Sequence, residues 1–462
     1  MTAPSTVIII GGSLAAFTCA RLLGAHCERV IVVDRDDAPG EDGARAGVPQ
    51  ARHAHVILDR GRRELEHCLP GFERQIVERG ARLLDPGLEF ASLGNLTWMP
   101  RIATDARMLC ASRDLTDATA RALVADLPHV ELRTRSEVSA LRLAGRRVEA
   151  VELQRRGGGA PEVVPAALVI DASGRNSKLP ALLDQAGVKP PDETVIDSGT
   201  WYSTRWFRSL PASEARWWGA VLVAPTLTAP GALLTPVEGD RCVVSIAHVG
   251  IGQPKLTEDN FLSTLQELRS PIIAESIGEP LSSVLGYRAT ANRMRHYAQW
   301  ADPVAGLVAV GDAACALNPI HGQGVTCTAV CARLLAETIS ANGLADPALA
   351  PTFHKAQARW LREPWGLATG FDLRYPTTVG KRPLAPKLFG PYMKLVVEAF
   401  HGDPGLLRVV VGGIGQLNQP FSMFMTPKVV AQVLGSAAQR RLRRQPSPVQ
   451  PATPYPPDAI RA

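Results

Sequence analysis

The N-terminal stretch that ends at Asp34 restricts the fold more than any other part of this sequence. An apolar run, Val7–Ile10, is followed by the turn Gly-Gly-Ser-Leu-Ala-Ala and by a helical stretch to about Gly24. A second apolar run, Val30–Val33, then leads into the acidic residue. Strand, glycine turn, helix and strand in this order form a βαβ unit, and an acidic residue about twenty positions beyond the glycines is typical of dinucleotide binding. The stretch predicts an α/β fold with a parallel sheet.

Each part of this unit has a physical task. Gly11 makes the tight turn, the helix N-terminus faces a pyrophosphate, and Asp34 accepts hydrogen bonds from ribose hydroxyls. The glycine pattern is incomplete, because Ser13 and Ala16 stand where the second and third glycines belong. An α/β crossover without a ligand is therefore the alternative. The residues predicted to line the ligand here are Gly11, Gly12, Ser13, Ala16, Asp34 and Arg35.

Two further apolar strands end in the same kind of turn. The first, Ala167–Ile170, follows a predicted β-meander and runs into Asp-Ala-Ser-Gly. The second, Leu307–Val310, runs into Gly-Asp, and Pro319 and a Gly-Gln-Gly sequence follow before a helix resumes. Ligands of open α/β sheets bind at the carboxyl ends of the strands, so the three turns are expected to surround one cofactor.

Composition argues against several classes of function. The chain has 462 residues, 46% of them apolar, which suits two or three globular domains. Its net charge is only +6, and an arginine cluster at residues 440–444 supplies much of the excess, so no nucleic-acid face is predicted. The N-terminus lacks the basic region of a signal peptide, and no apolar run reaches the ~20 residues of a membrane span. A soluble protein without a transmembrane segment is expected.

The cysteines and histidines do not form a metal-binding pattern. The eight cysteines are scattered without paired spacing, which predicts reduced thiols in a cytoplasmic protein. Cys327 and Cys331 lie four apart, and His53 and His55 lie two apart, but neither pair is accompanied by further ligands. No metal site is predicted.

The stretch from about Pro190 to Pro280 predicts an antiparallel sheet, with strands separated by proline and glycine turns. Along its first strand, alternation places Trp201 and Arg205 on one face and Tyr202 and Thr204 on the other. Which face meets the ligand stays open, and sheet core explains these aromatics as well as a pocket does. The predicted strands are Asp197–Arg208, Trp218–Val223, Ala232–Val237 and Cys242–Val249.

The C-terminal part is predicted to be helical from about Pro351 onward. Aromatic residues follow one another on a long amphipathic run that includes Phe371. The final stretch is rich in proline and is predicted to be disordered.

The three turns, in this order and at this spacing, resemble those of flavoprotein monooxygenases with the p-hydroxybenzoate hydroxylase fold. Residues 45–61 and 109–123 lie between the first two turns, and Arg113 falls at the family's flavin-contact position. The resemblance extends from Val7 to about Leu434. It implies a Rossmann-like FAD-binding domain of the glutathione reductase type, an antiparallel-sheet substrate domain and a C-terminal helical region. The further FAD contacts that it implies are Arg45, Gln50, Arg113, Val138, Asp171, Gly174, Gly311, Asp312, Pro319, Gly322, Gln323 and Gly324.

The resemblance also implies a task for the third turn. Asp312 is expected to bind a ribityl hydroxyl of FAD, and the helix that begins at Gly322–Gly324 is expected to face the N1/C2=O edge of the isoalloxazine. Reduced flavin is anionic there, and a helix N-terminus carries about half a positive charge, which stabilises the anion. Glycine lets the backbone approach a flat ring, and Pro319 fixes the entry angle.

Four sequences narrow the resemblance to bacterial epoxidases of polyether-antibiotic pathways, of the lasalocid and monensin type, which are related to squalene epoxidase. They are GVPQARHAH (47–55), DSGTWYSTRWFR (197–208), ATANRMRHY (289–297) and PWGLATGFDLRYP (364–376). The implied activity is an FAD-dependent monooxygenase that transfers oxygen from O2 through a flavin C4a-hydroperoxide to alkenes of a polyene, polyketide or terpenoid intermediate. NAD(P)H is the expected reductant, directly or through a separate flavin reductase.

Other activities remain open. An aromatic-ring hydroxylase differs only in the shape of its pocket, and a protein with a structural flavin would act in cyclisation or binding without redox turnover. A flavin-dependent halogenase shares the fold, but its Trp-x-Trp-x-Ile-Pro sequence is absent, and Leu96–Pro100 does not supply it.

No catalytic residue is assigned, because the flavin carries the chemistry of such enzymes. His321 stands where relatives carry tyrosine, and it either contacts a substrate or fills the aromatic position. The candidates for a hydrophobic substrate pocket are Trp201, Tyr202, Thr204, Arg205, His321 and Phe371. The expected domains are an FAD-binding domain in three parts (1–85, 107–188 and 286–345), a substrate domain (86–106 and 189–285), a helical region (346–445) and a disordered tail (446–462).

Overall fold

The computed structural model describes residues 5–37, 48–250, 256–382, 386–449 and 453–460. The described strands are β1 (Thr6–Ile10), β2 (Arg29–Val33), β3 (Val56–Ile57), β4 (Arg82–Leu84), β5 (Phe90–Leu93), β6 (Met108–Cys110), β7 (Val130–Arg133), β8 (Ser136–Ala144), β9 (Arg147–Arg155), β10 (Glu162–Pro165), β11 (Leu168–Asp171), β12 (Glu193–Ile196), β13 (Trp201–Ser209), β14 (Ala220–Val223), β15 (Gly231–Val237), β16 (Arg241–His248), β17 (Ile277–Pro280), β18 (Leu285–Tyr287), β19 (Asn292–Arg295), β20 (Leu307–Ala309) and β21 (Cys315–Ala316).

The described α-helices are α1 (Leu14–Leu23), α2 (Asp59–Cys68), α3 (Phe72–Glu78), α4 (Arg113–Ala125), α5 (Leu179–Gln185), α6 (Glu258–Gln266), α7 (Gly324–Asn342), α8 (Leu349–Asp372), α9 (Pro386–Gly402), α10 (Pro404–Arg408) and α11 (Pro427–Leu442). Short 3-10 helices span Pro49–Arg52, Pro271–Ser276, Tyr297–Gln299, Gly311–Ala313, Pro319–His321 and Phe421–Met425, and a π-helical turn spans Val409–Ile414.

A parallel sheet lies at the centre of the fold. Within the described ranges its five strands run in the order β20-β11-β1-β2-β7, with Val7 opposite Leu168 on one side and Val30 on the other. The runs Val7–Ile10, Val30–Val33 and Leu168–Ile170 are continuously apolar, as expected for strands with both faces covered, whereas the edge strand β7 carries Glu131 and Arg133. Helices α1, α7 and α8 cover one face, where Ala16 and Phe353 are fully buried. The α/β fold with a parallel sheet is confirmed.

The meander predicted before β11 covers the other face. Strands β8, β9 and β10 form an antiparallel sheet whose apolar side chains pack with Ile8 and Val169 of the central sheet. Val138, predicted to contact FAD, is a member of this core cluster and is almost fully buried.

A second large sheet lies in the stretch for which the sequence predicts a substrate domain, and this stretch is called the substrate region below. Its described strands run β17-β13-β16-β15-β14-β5, and β18 also pairs with β13. All these pairs are antiparallel except β14 with β5, which aligns Ala220 with Phe90 in parallel. One face packs on α6 and on Pro271–Ser276, with Phe207 and Phe261 in contact.

The C-terminal helices α9 to α11 have an apolar cluster of their own, which includes Ile102. A fully buried carboxylate, Asp59, joins this region to α2. Asn418 Nδ2 donates to Asp59 Oδ2 at 2.8 Å, and Asp59 N donates to Gln416 Oε1 at 2.9 Å. Arg62 of the same helix pairs with this carboxylate at 2.8 Å, and the backbone N–H of Arg107 donates to Asp59 Oδ1 at 3.0 Å, so Asp59 joins α2, the segment 416–418 and the chain at Arg107.

Residues 453–460, which the sequence predicts to be disordered, are packed on the substrate region. Trp98 Nε1 donates to the carbonyl of Thr453 at 2.8 Å, and Ile460 N donates to the carbonyl of Arg101 at 2.7 Å. The guanidinium of Arg216 lies 3.9 Å from the ring centroid of Tyr455. Proline-rich composition lowers the entropy that an extended segment loses on docking, and the contacts of one tyrosine and two backbone groups attach the segment here.

Among the described residues, no helix is both long and apolar enough to cross a membrane. The eight cysteines are all free thiols. The described residues contain no cluster of three or more His, Cys, Asp or Glu side chains that could hold a metal ion.

Candidate functional site

The first glycine turn is closely packed against its neighbours. Gly11 has φ +104°, and a Cβ there would lie 2.7 Å from the carbonyl oxygen of Ala172 at the end of β11. A Cβ on Gly12 would lie 2.3 Å from Asp34 Oδ2. Neither position accepts a side chain without movement, so the turn holds the Asp34 carboxylate against the backbone. This is the close approach that a dinucleotide site requires.

The remaining predicted residues of this turn are placed as follows. Ser13 precedes α1 without a capping hydrogen bond from its side chain, and Ala16 packs helix against sheet. Arg35 is exposed. Arg45 lies outside the described residues.

In the second turn, the side chain of Asp171 accepts hydrogen bonds from the loop that follows it. The backbone N–H of Ser173 donates to Asp171 Oδ1 at 3.0 Å, and Ser177 donates to Oδ2. Burial raises the pKa of Asp171 above its ordinary value, although the serine hydrogen bonds oppose the shift. Asp171 therefore orders the loop, whereas Gly174, at φ +82° with no atom within 4 Å of its Cβ position, leaves the loop surface open.

The third turn presents a carboxylate that no described residue bonds. Gly311 has φ +58°, and a Cβ there would lie 3.0 Å from Thr328 Oγ1 on α7. Asp312 follows, and its Oδ1 lies 3.7 Å from the Cβ position of Gly324 at the start of α7. Burial raises the pKa of Asp312, while the positive charges of Arg175 and Arg113 act to lower it.

The N-terminus of α7 carries a second acceptor without a donor. Pro319 begins the 3-10 turn that leads into the helix, and Gly322 ends it in the left-handed conformation at φ +66°. Gln323 precedes the helix, and its Oε1 is buried with no hydrogen-bond partner among the described residues. An unpaired buried acceptor costs about 1–3 kcal/mol, so a ligand with hydrogen-bond donors fits here.

These features fit FAD. Its ribityl and ribose hydroxyls are donors suited to Asp312 and Asp34, and the isoalloxazine can donate to an amide oxygen such as Gln323 Oε1. The open surface at Gly174 leaves room for a ligand. Arg113 lies near this site, and its Nε donates to Asp117 Oδ1 at 2.9 Å.

The sequence analysis left open which face of β13 meets the ligand. Contacts with residues 50–55 show which of its side chains point toward the central sheet. His53 Nδ1 lies 2.7 Å from Thr204 Oγ1, which lies 2.6 Å from Ser245 Oγ. The ring centroids of His53 and Tyr202 are 4.8 Å apart. Tyr202 and Thr204 therefore face the central-sheet region, whereas Trp201 is in the core cluster with α6, stacked on His248 at 4.9 Å.

Arg205 also lies on the far face. Its Nε donates to the carbonyl of Ser282 at 2.9 Å, and its guanidinium lies over Phe207. The structure thus brings Tyr202 and Thr204 to the candidate site and does not bring Trp201 and Arg205 there.

Two histidines precede β3: His53 is buried and His55 is half-buried. Burial lowers the pKa of His53 to about 3, and the nearby His55 and Arg52 act in the same direction. Burial likewise lowers the pKa of His55 to about 4, and its Nε2 lies 2.8 Å from the carbonyl oxygen of Gln50. Both rings are therefore neutral at ordinary pH, and neither His53 nor His55 adds a positive charge to this region.

A polar network beside the site was missed by the sequence analysis. Asp372, at the end of α8, is almost fully buried and contacts Asn292, Asn318 and His321. Phe371 lies next to His321, with ring centroids 5.7 Å apart. Three of the four epoxidase-like sequences meet at this network or beside it. Their shared resemblance to one family was the only sequence signal that could have indicated this contact.

Comparisons with known proteins agree with this architecture. Residues 6–189 match the sequence model of the family described as FAD dependent oxidoreductase. Protein Rv3254 of Mycobacterium tuberculosis is 26% identical over 461 residues, covering 94% of each chain.

Two solved structures share the fold at low sequence identity. The p-nitrophenol 4-monooxygenase PnpA from Pseudomonas putida DLL-E4 is 17% identical, with a TM-score of 0.65 over 90% of this chain and 99% of its own. The flavin-dependent brominase Bmp2 is also 17% identical, with a TM-score of 0.64 over 95% of this chain and 99% of its own. The chain therefore has the α/β fold of the FAD-binding oxidoreductases.

Proposed function

We propose that this protein is an FAD-dependent monooxygenase that transfers one oxygen atom from O2 to an electron-rich double bond of a small hydrophobic molecule. The observation that carries the proposal is the pair of acceptors without donors, Asp312 and Gln323 Oε1, at the point where β20 leads into α7. Both residues follow the carboxyl end of β20, and ligands of such folds bind at the carboxyl ends of the strands. The fold shared with a monooxygenase supports the reaction class.

Bound FAD would supply the reduction of O2 and the transfer of one oxygen atom. The chain's own part is to hold and orient. Asp34 and the Gly11–Gly12 turn hold the adenosine end, and Asp312 holds the ribityl chain. The N–H groups at the start of α7 favour negative charge near them, an effect of about 0.3–1 kcal/mol at an exposed helix end and more when buried.

The rings of His53, Tyr202 and Tyr287 contact one another and form a neutral aromatic wall, which would lie on the substrate side. The ring centroids of Tyr202 and Tyr287 are 5.3 Å apart, and burial raises the pKa of both phenols. Neutral aromatic groups suit an apolar substrate, because no ion has to be desolvated when it enters.

The substrate we favour is an alkene of a polyene, polyketide or terpenoid intermediate, because the four epoxidase-like sequences lie around this wall and the Asp372 network. Hydroxylation of an aromatic ring is the alternative. NAD(P)H would reduce the enzyme directly or through a separate flavin reductase, in the cytoplasm.

Reconstitution with FAD tests the proposal. We expect NADH, NADPH or an added flavin reductase to reduce the bound flavin, and a polyene or phenol probe to incorporate one atom from 18O-labelled O2, measured by mass spectrometry. An Asp312→Ala variant should lose FAD, whereas Asp302→Ala, a half-buried aspartate paired with Arg146, should retain it. Bound flavin that none of the reductants reduces would contradict the monooxygenase and favour a structural flavin.

A further inference from the structure

A large cleft borders helix α2 and is separate from the residues predicted to bind FAD. Its volume is about 870 Å³, which falls within the ~300–1,000 Å³ of pockets that bind small molecules. Helix α2, the middle of α7, the segment 103–106, the end of α10 and the π-helical turn after it line the cleft. Arg333 on α7 lies nine residues beyond Gly324, which is about 13 Å along the helix axis. None of the residues predicted to contact FAD lines this cleft.

Most of the charged residues that line this cleft are arginines. They are Arg60, Arg63, Arg333 and Arg408, and we call the space the arginine cleft. Two carboxylates also line it, Glu64 and Asp105, so the lining has two positive charges in excess. Asp59 and Glu337 pair with two of the arginines but are not lining residues. A lining with excess positive charge attracts an anionic ligand.

Buried carboxylates hold three of the guanidiniums in place. Glu64, whose side chain is 8% exposed, accepts from Arg60 Nε at 2.8 Å on one oxygen and from Arg333 Nε at 2.7 Å on the other. Arg63 Nη2 lies 2.8 Å from Oδ2 of the buried Asp59. A guanidinium has five N–H donors, and Nη1 of Arg60 and Nη1 of Arg63 bond no described residue. The carboxylates therefore orient these arginines and leave donors for a ligand.

Arg408 is the arginine of the cleft that has no carboxylate partner among the described residues. It is the last residue of α10, and it is exposed. A π-helical turn, Val409–Ile414, begins at the next residue, and such turns are frequent at functional sites. Arginines that served only to join α2 to α7 would need Glu64 and its two partners, but they would not need Arg408.

We propose that the arginine cleft is a second ligand site, which binds a small molecule through a phosphate or diphosphate group. A phosphate has three strong acceptor oxygens, so it can accept from guanidiniums on more than one helix, whereas a carboxylate has only two oxygens. Arginine also matches phosphate oxygens in bidentate pairs. The pyrophosphate of FAD is expected at the start of α1 and is not the ligand of this cleft. Binding here involves no covalent step.

Calorimetric titration of the FAD-saturated protein at physiological ionic strength tests the proposal. Saturation with FAD keeps the probes out of the cofactor site. The probes are inorganic pyrophosphate and ADP, and adenosine is the probe without a phosphate. We expect both phosphates to bind and adenosine not to bind. Tighter binding of ADP than of pyrophosphate would identify the ligand as an organic phosphate, and equal binding would identify it as a free diphosphate.

Variants of Arg408 test whether the cleft is the site of binding. Arg408→Ala should bind pyrophosphate about ten-fold more weakly or worse, because hydrogen bonds to a charged group are lost. Arg408→Lys keeps the charge without the fork and should restore only part of the affinity. The matched control is Arg441→Ala, which removes an exposed arginine of α11 outside the cleft and should bind as the wild type does. The thermal midpoint without ligand should be the same in all four proteins.

The same measurements give the results that would overturn the proposal. They are no binding of either phosphate, binding of adenosine as tight as that of ADP, and unchanged affinity in Arg408→Ala. An equal loss in Arg441→Ala would show attraction by net charge and not a site. Loss of FAD from Arg408→Ala would show that the cleft belongs to the cofactor site. Because the titration needs no turnover, failure of the monooxygenase assay leaves its result unchanged.

Discussion

Replacing Gly12 by alanine tests whether the first turn holds Asp34 in position for a cofactor. A Cβ at Gly12 would lie 2.3 Å from Oδ2, 2.7 Å from Cγ and 2.8 Å from Cβ of Asp34. All three distances are shorter than a van der Waals contact of ~3.5–4.0 Å between carbon atoms. Rotation of the Asp34 side chain would relieve the contacts with Oδ2 and Cγ but not the one with Cβ, so the carboxylate must leave its position and the backbone on one side must shift as well.

The cost can be worked out from the contacts that Asp34 would lose. A hydrogen bond from a ribose hydroxyl to a carboxylate contributes about 1.5–3 kcal/mol. With tenfold in affinity for each 1.4 kcal/mol, the variant should bind FAD roughly ten- to a hundred-fold more weakly. The overpacking adds about 1–3 kcal/mol of strain, part of which the apoprotein also carries.

Titration of the apoprotein with FAD, followed by the quenching of flavin fluorescence, measures this loss. Gly435→Ala is the matched control, because its Cβ position in α11 has no atom within 4 Å and alanine favours a helix. The control should bind FAD as the wild type does. If Gly12→Ala kept its affinity within a factor of two, Asp34 would not be a cofactor contact, and the reasoning about this turn would fail.

Four further variants have expected outcomes of different kinds. Gln323→Met removes the buried oxygen without a partner, so the apoprotein should gain about 1 kcal/mol of unfolding free energy in urea while FAD affinity falls; a loss of both would contradict the assignment. Asp59→Ala leaves Arg62 without its buried partner and should cost about 3 kcal/mol, read from the urea midpoint. Burial acts to raise the pKa of Asp59, but bonds from Arg62, Arg107 and Asn418 outweigh it and lower the pKa, so its contribution is present above the ordinary value of 3.8 and is lost as the pH falls through it and then through the lower folded pKa. Asp59→Asn should flatten that acid loss, and an unchanged acid transition would argue against the role. A chain that ends at Gln445 lacks the contacts of Tyr455 and Ile460 and should melt a few degrees lower by calorimetry, whereas an unchanged midpoint would show that the segment adds nothing.

The central sheet could be predicted because its evidence is local. The strand, the glycine turn and Asp34 lie within one βαβ unit, and the apolar runs of β1, β2 and β11 have no other stable place than a covered sheet. Burial of Ala16 under the sheet follows from the same pattern. The turns at Gly174 and Asp312 could be found in the same way, as strand ends followed by glycine.

The faces and the network could not be predicted, because they depend on contacts between distant segments. Alternation along β13 separates Trp201 from Tyr202 but is unchanged if the strand is turned over. The hydrogen bonds of Asp372 come from Asn292 and Asn318, and neither periodicity nor spacing in the sequence predicts that these residues lie near it. The disorder of the tail was predicted from composition alone, and composition does not show that Tyr455 packs on the guanidinium of Arg216.

The order of strands in the central sheet has a consequence for how the protein is made. The edge strand β20 joins β11 only after the whole substrate region between them has been synthesised. During synthesis the early strands therefore have one unpaired edge. Parallel sheets form slowly, and an unpaired strand edge is prone to aggregation. Asp312 and the start of α7 arrive later still, so the nascent chain cannot retain a flavin until most of it has emerged. Supply of the cofactor after synthesis, rather than during it, would then set the yield of active protein.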